Sequence, residues 1–167
     1  MLFGYHEQSP RLKILSHVKT PRNIARLPGG IFWREPWPGE LRWFQEHTHV
    51  AGFAVRPSHV VLNPYVNLKP RALRSVLLNE SVRIFLWRNR NYSPRQILTP
   101  WQRKKFQDYG AVRFQSETIL ARIVAKDPSS GIPSAAQKMA AHRVAKALAV
   151  HGSIRLSSCR GWLKGIA

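Results

Sequence analysis

Residues 70–90 read PRALRSVLLNESVRIFLWRNR, and the fold turns on whether this stretch is a helix. Pro70 suits the first helical position, where the N–H it lacks would be unpaired in any case. Leu73, Val76, Leu77, Ile84 and Trp87 then recur at helical spacing. The pattern predicts a helix over 70–88. One position interrupts its apolar stripe, because residue 80 is a glutamate.

Toward the amino end, HVAGFAV (49–55) is apolar and β-rich, RPS (56–58) is a turn candidate, and HVVLN (59–63) resumes the strand pattern. The strand-like reading begins at Leu41, so a β-hairpin is expected over about 41–63. Before it, LPGGIFWREPWPGE (27–40) sets Pro28, Pro36 and Pro38 beside Gly29, Gly30 and Gly39. That punctuation is too dense for a regular element. Residues 1–40 are therefore read as an irregular extension, although Phe32, Trp33 and Trp37 suggest that it packs on something.

Toward the carboxyl end, Thr99, Pro100 and Gln102 supply an N-cap, a first-turn proline and the third member of a capping box. They predict a helix over 99–109 that stops near Gly110. A third helix is expected over 116–126, with Ile119, Leu120, Ile123 and Val124 on one side, and a fourth over 134–150, opened by a second box at Ser134 and Gln137. The fold class expected is α+β, mostly α: a hairpin followed by about four helices. One compact domain over 41–152 would carry a basic tail, 153–167.

Charge bounds the function. The 167 residues hold 27 Lys and Arg against 8 Asp and Glu, a formal charge of +19. Residues 1–46 carry 7 basic and 4 acidic groups, 47–126 carry 14 and 3, and 127–167 carry 6 and 1, so the excess is not confined to a tail. Such a chain folds against its own repulsion, and an anionic partner, nucleic acid or an acidic membrane surface, is the physical expectation. A hydrophobic content of 44% is enough to bury a core, which sets the chain apart from a disordered polycation.

Cys159 is the single cysteine, so disulfides within one chain and cysteine-based zinc sites are excluded. No run approaches the roughly 18 apolar residues of a membrane span. Residues 1–27 lack the continuous apolar stretch of a secretory signal. Their five basic residues against one acid are compatible with an organellar targeting peptide, although Pro10 and Pro21 interrupt any long helix there. An intracellular setting is expected, cytoplasmic or organellar, mitochondria included.

Glu46, His47, His49 and His59 fall within fourteen residues and raise the question of a metal. If RPS closes the hairpin with Val55 facing His59, His59 and His49 lie six strand positions apart, roughly 20 Å at 3.3–3.4 Å per residue. No single ion spans that. His47 and His49 share one face of such a strand, and this H-x-H pair is the candidate for metal ligation if other elements add ligands. Glu80 has two readings. As a structural residue it pairs with Arg83 one turn on, or with a cation across the core; as a functional one it is a general base or a ligand beside His47 and His49. His142 and His151 read as exposed or helix-capping. No phosphate-cradling glycine loop, nucleophile elbow or close carboxylate pair is present, and no cofactor is expected.

Residues 83–109 hold seven basic residues, one acid and six aromatics. Arg88, Arg90, Arg95, Arg103, Lys104 and Lys105 are the expected phosphate contacts, with Tyr92 and Trp101 as platforms for unpaired bases. Phe85, Trp87 and Phe106 read as core. Basic charge spread through proline-rich ends and a small helical body is the pattern of proteins that thread into structured RNA, ribosomal proteins among them. There is no zinc-finger spacing, no basic-region heptad and no RRM aromatic motif, while the pair of helices over 99–123, with Gly110 in the turn, is compatible with a helix-turn-helix. The expected function is binding of structured RNA, in preference to DNA, within a ribonucleoprotein assembly that includes other proteins. Two alternatives come from other classes: a small helical metal-dependent or acid/base enzyme, or decayed relative of one, using His47, His49 and Glu80, and a virion-associated or structural interaction protein.

Overall fold

The computed structural model describes residues 24–89, 92 and 98–148. Strand β1 (Ile24–Leu27) reverses through the turn Pro28–Gly30 into β2 (Ile31–Arg34). Gly29 and Gly30 stand at φ of 72° and 65°, a left-handed conformation that glycine adopts without the clash a side chain would bring. Helix α1 (Pro38–Glu46) follows, then the hairpin β3 (Gly52–Val55) and β4 (His59–Leu62). Val55 faces His59 across it, as expected from the Arg56–Ser58 turn. Strand β4 also pairs in parallel with β2, matching Phe32 to His59 and Trp33 to Val60. The four-stranded sheet therefore runs β1-β2-β4-β3, with α1 and β3 forming the crossover between its parallel pair.

Two expectations are corrected here. Residues 41–46 belong to α1 and not to the hairpin, which spans only Gly52–Leu62. Pro38 occupies the first helical position, and Glu40, two residues on, accepts the Trp37 backbone N–H at 2.8 Å. Together they start a helix that buries Phe44. Residues 24–34, expected to be irregular, form β1 and β2, because the Pro-Gly-Gly run is itself the reversal between two short strands.

The remaining helices are α2 (Pro70–Arg88), α3 (Pro100–Lys105), α4 (Val112–Val124) and α5 (Ala135–Ala147). Helix α2 has the expected bounds. Helix α3 is shorter than expected and passes through a 3₁₀ turn at Gln107–Tyr109; α4 starts four residues earlier than expected. The expected end of α5 at 150, and the tail 153–167, lie outside the described residues.

Strand alternation sorts the core into two faces. Trp33, Val60 and Leu62 meet Leu73, Val76, Leu77 and Ile84 of α2, in a cluster that continues into Leu120 and Ala121 of α4 and Val144 of α5. On the other face Val61, Phe53 and Val55 meet Trp43 and Phe44 of α1. Helices α2 and α4 run antiparallel, since Arg83 bonds Thr118 while Ser75 bonds the Ala125 carbonyl. Leu98 and Phe106 pack on Ile119 and hold α3 against α4.

Candidate functional site

The contact between α2 and α4 is unusually polar for a core. Glu80 lies 3.6 Å from Arg83 Nε, both of them buried. Arg83 Nε donates to Asn79 Oδ1 at 2.9 Å, and its Nη1 donates to Thr118 Oγ1 of α4 at 3.1 Å. Further along α4, Arg122 donates to Ser129 Oγ at 2.6 Å and to the Tyr109 hydroxyl at 3.0 Å. Burial pushes the Glu80 carboxyl up to about 7, against the pull of Arg83, a hydrogen bond from the Ala54 backbone and the charge of Arg122. The ion pair with Arg83 is the one expected of a structural Glu80.

The residues of the enzyme reading do not come together. His47 donates from Nδ1 to the Trp43 carbonyl at 2.8 Å and stacks on the Trp43 ring at 4.1 Å between centroids. The ring of His49 is 6.2 Å from that of His47. Neither sits on a strand. Trp43 packs on Phe53, on the α1 face of the sheet, whereas Glu80 belongs to α2 on the opposite face. The sheet stands between the carboxylate and the imidazoles. Among the described residues, no group of three or more His, Cys, Asp or Glu is placed to hold a metal ion. His59 is half-buried beside Ser58 Oγ at 3.1 Å, and burial together with the charge of Arg34 lowers its pKa.

The expected phosphate contacts divide between two places. Arg90 and Arg95 lie outside the described residues. Arg88 donates to the Pro57 carbonyl at 2.7 Å and to the Gly29 carbonyl at 3.1 Å, which ties the end of α2 to two turns of the sheet. Tyr92 packs edge-on against Phe85. In α3, Lys105 stands over the half-exposed Trp101 ring at 4.5 Å and donates to the Ser129 carbonyl at 3.0 Å, while Arg103 and Lys104 are exposed. The helix-turn-helix expectation is corrected too. Residues Gln115–Arg122 of α4 are buried without interruption, so this helix cannot enter a nucleic-acid groove as a recognition helix must.

A groove of about 1160 Å³ opens where the start of α2 meets the end of α4 and α5. Ala72, Leu78, Val124, Ala125, Pro128 and Ala145 supply its apolar lining, and Lys69, Arg71, Arg74 and Lys126 stand exposed around it. Asp127 is the one acid in that lining among the described residues, and its Oδ1 accepts the Ser129 backbone N–H at 2.9 Å. Arg88 is 17 residues along α2 from Arg71, roughly 25 Å at 1.5 Å per residue. The groove and the expected patch around Arg88 are thus separate places. Sequence reasoning passed over Lys69, Arg71, Arg74 and Lys126. The available signal was cations in the first turn of a predicted helix, where the helix dipole favours acids.

Comparison with known proteins adds no relative: no protein-family model matches the chain, and neither a curated protein nor a solved structure does.

Proposed function

We propose that the protein binds structured RNA, as a basic component of a ribonucleoprotein assembly in the cytoplasm or an organelle. The observation that carries this reading is the partition of charge between core and surface. Glu40, Glu80 and Glu117 are buried, and each is paired with an arginine: Glu40 with Arg34 at 2.7 Å, Glu80 with Arg83 and Glu117 with Arg113 at 3.1 Å. Glu46 and Asp108 are the fully exposed acids among the described residues. By contrast, the described Lys and Arg side chains are exposed at thirteen positions; Arg34, Arg83 and Arg122 are buried and Arg113 is half-buried. Folding therefore buries three of the few acids along with three arginines and leaves most of the cations outside. The exterior is more one-sided than the composition, which suits a polyanion and raises its association rate.

Structured RNA is favoured over duplex DNA because the buried α4 offers no recognition helix and the exposed surface of the described residues shows no motif that reads base edges. Contacts of this kind are made to phosphate and sugar, and they recognise shape. The test is a salt titration with an RNA hairpin and a DNA duplex of matched length. With four or more phosphates neutralised, log K should fall against log salt with a slope of roughly −3 or steeper, at about 0.7 to 0.9 per phosphate. A slope shallower than about −1 ends the reading. Protein purified without nuclease should also carry material absorbing at 260 nm.

A further inference from the structure

We propose that the groove between α2, α4 and α5 is where the RNA backbone is held, with Arg71, Arg74 and Lys126 contacting phosphates and Lys69 beside them. This inference rests on the RNA-binding reading above. Four exposed cations surround one concavity in which, among the described residues, the one acid accepts a backbone N–H of its own loop. Arg71 and Arg74 are three apart on α2 and so project from neighbouring positions on its surface.

Two local rules are broken at this groove, in both cases to its benefit as an anion site. The first turn of α2 contains no acid and is flanked by Lys69, Arg71 and Arg74, although positive charge there opposes the helix dipole. At the end of α4, Lys126 holds φ at 55°. Its N–H bonds the Ile123 carbonyl at 3.1 Å and the Asp127 N–H bonds the Arg122 carbonyl at 2.9 Å, a helix end that glycine ordinarily makes. A lysine held in that conformation spends stability to stand at the rim. Departures of this kind concentrate at functional sites.

The lining also decides the class of partner. Among the described residues no aromatic side chain lines the groove, so they offer bases no platform to stack on and the contact they make is to the backbone. An acidic protein helix would seat large apolar anchors in a deep apolar pocket, whereas half of the described apolar lining is alanine, Ala72, Ala125 and Ala145 beside Leu78, Val124 and Pro128, and four cations surround it. Phosphates need only the cations.

The test uses the whole 167-residue chain and a labelled RNA hairpin. The variant Arg71→Gln/Arg74→Gln/Lys126→Gln is compared with Arg42→Gln/Lys138→Gln/Arg143→Gln, which removes equal charge from exposed positions outside the groove. Because all six positions are exposed, circular dichroism should show both variants folded. The groove variant is expected to lose affinity about tenfold or more, with a salt slope shallower by roughly 2 to 3, while the second variant loses less than about threefold. Equal losses in the two variants overturn the groove and leave the RNA-binding reading standing. A parent protein without salt-dependent RNA binding removes both. If the groove variant keeps the RNA but loses a glutamate-rich peptide that the parent holds, the groove serves an acidic protein segment and the proposal fails.

Discussion

Gln102 and Gln137, each the third residue of its own helix, hold one another. Gln137 Nε2 donates to Gln102 Oε1 at 2.6 Å, and Gln102 Nε2 reaches Gln137 Oε1 and the Ser130 carbonyl, each at 3.3 Å. Each Oε1 also accepts the N–H of its own N-cap residue, Thr99 or Ser134, at 3.0 Å. Two capping boxes are thereby joined in a buried contact between α3 and α5.

Because each amide serves its own helix start and its partner's, removing either one strands buried donors and acceptors on both sides. Gln102→Ala and Gln137→Ala should each cost about 2 kcal/mol. The double variant should cost less than their sum by about 1 kcal/mol, since the second loss finds its partner already gone. Urea denaturation of the four proteins measures this cycle, and strictly additive losses would show that the two boxes act independently.

Glu80 makes stability depend on pH with a definite sign. Its carboxyl is pushed from an ordinary 4.5 up to about 7 by burial, so the folded state holds this proton more tightly than the unfolded chain does. The stabilisation is fully present below about pH 4.5 and is lost as pH rises to about 7. Glu80→Gln abolishes this titration while keeping a polar group beside Arg83 and the Ala54 N–H. Between about pH 5 and pH 8 its stability relative to the parent should improve by about 1–3 kcal/mol. Glu80→Ala should be less stable than Glu80→Gln by about 1–3 kcal/mol at either pH, because it leaves those partners unmet. Denaturation curves at the two pH values decide the matter; a pH-independent gap between Glu80→Gln and the parent would mean that Glu80 titrates in the usual carboxylate range.

What was legible in the sequence was local. The bounds of α2 follow from Pro70 and the apolar spacing after it, the β3–β4 register follows from a short turn, and the starts of α3 and α5 are written in their capping boxes. What was not legible depends on distant partners. Strands β1 and β2 have four residues each, and β2 is fixed by parallel pairing with β4, 27 positions on. Helix α1 begins at a tryptophan in place of a serine or threonine, and the Glu40 of its first turn answers Arg34 of the preceding strand at 2.7 Å. The Glu80–Arg83 pair was readable as one turn of a helix. Its separation from His47 and His49 was not, because two faces of a sheet cannot be assigned before the strands are.

Arg88 serves the fold and should be readable as such. It joins the last turn of α2 to the Pro57 and Gly29 carbonyls, closing the sheet's turns onto the helix. Arg88→Ala should lower stability by about 1 kcal/mol, since these bonds are charge-assisted but exposed. The same substitution should change RNA affinity no more than about threefold. A variant of parental stability that lost one unit of salt slope would instead make Arg88 a phosphate contact.

Lys126 separates stability from binding at a single position. Its φ of 55° disfavours every side chain, and glycine there should stabilise the protein by about 1 kcal/mol despite the extra freedom of the unfolded chain. Alanine keeps the strain and removes only the charge. Both Lys126→Gly and Lys126→Ala should therefore weaken RNA binding alike and flatten the salt slope by about one, while only Lys126→Gly raises the melting temperature. The comparison is internally controlled, because a general loss of fold would lower both quantities together. If Lys126→Gly melts higher and binds RNA as the parent does, the lysine's awkward conformation has another cause and the phosphate contact lies elsewhere on the groove.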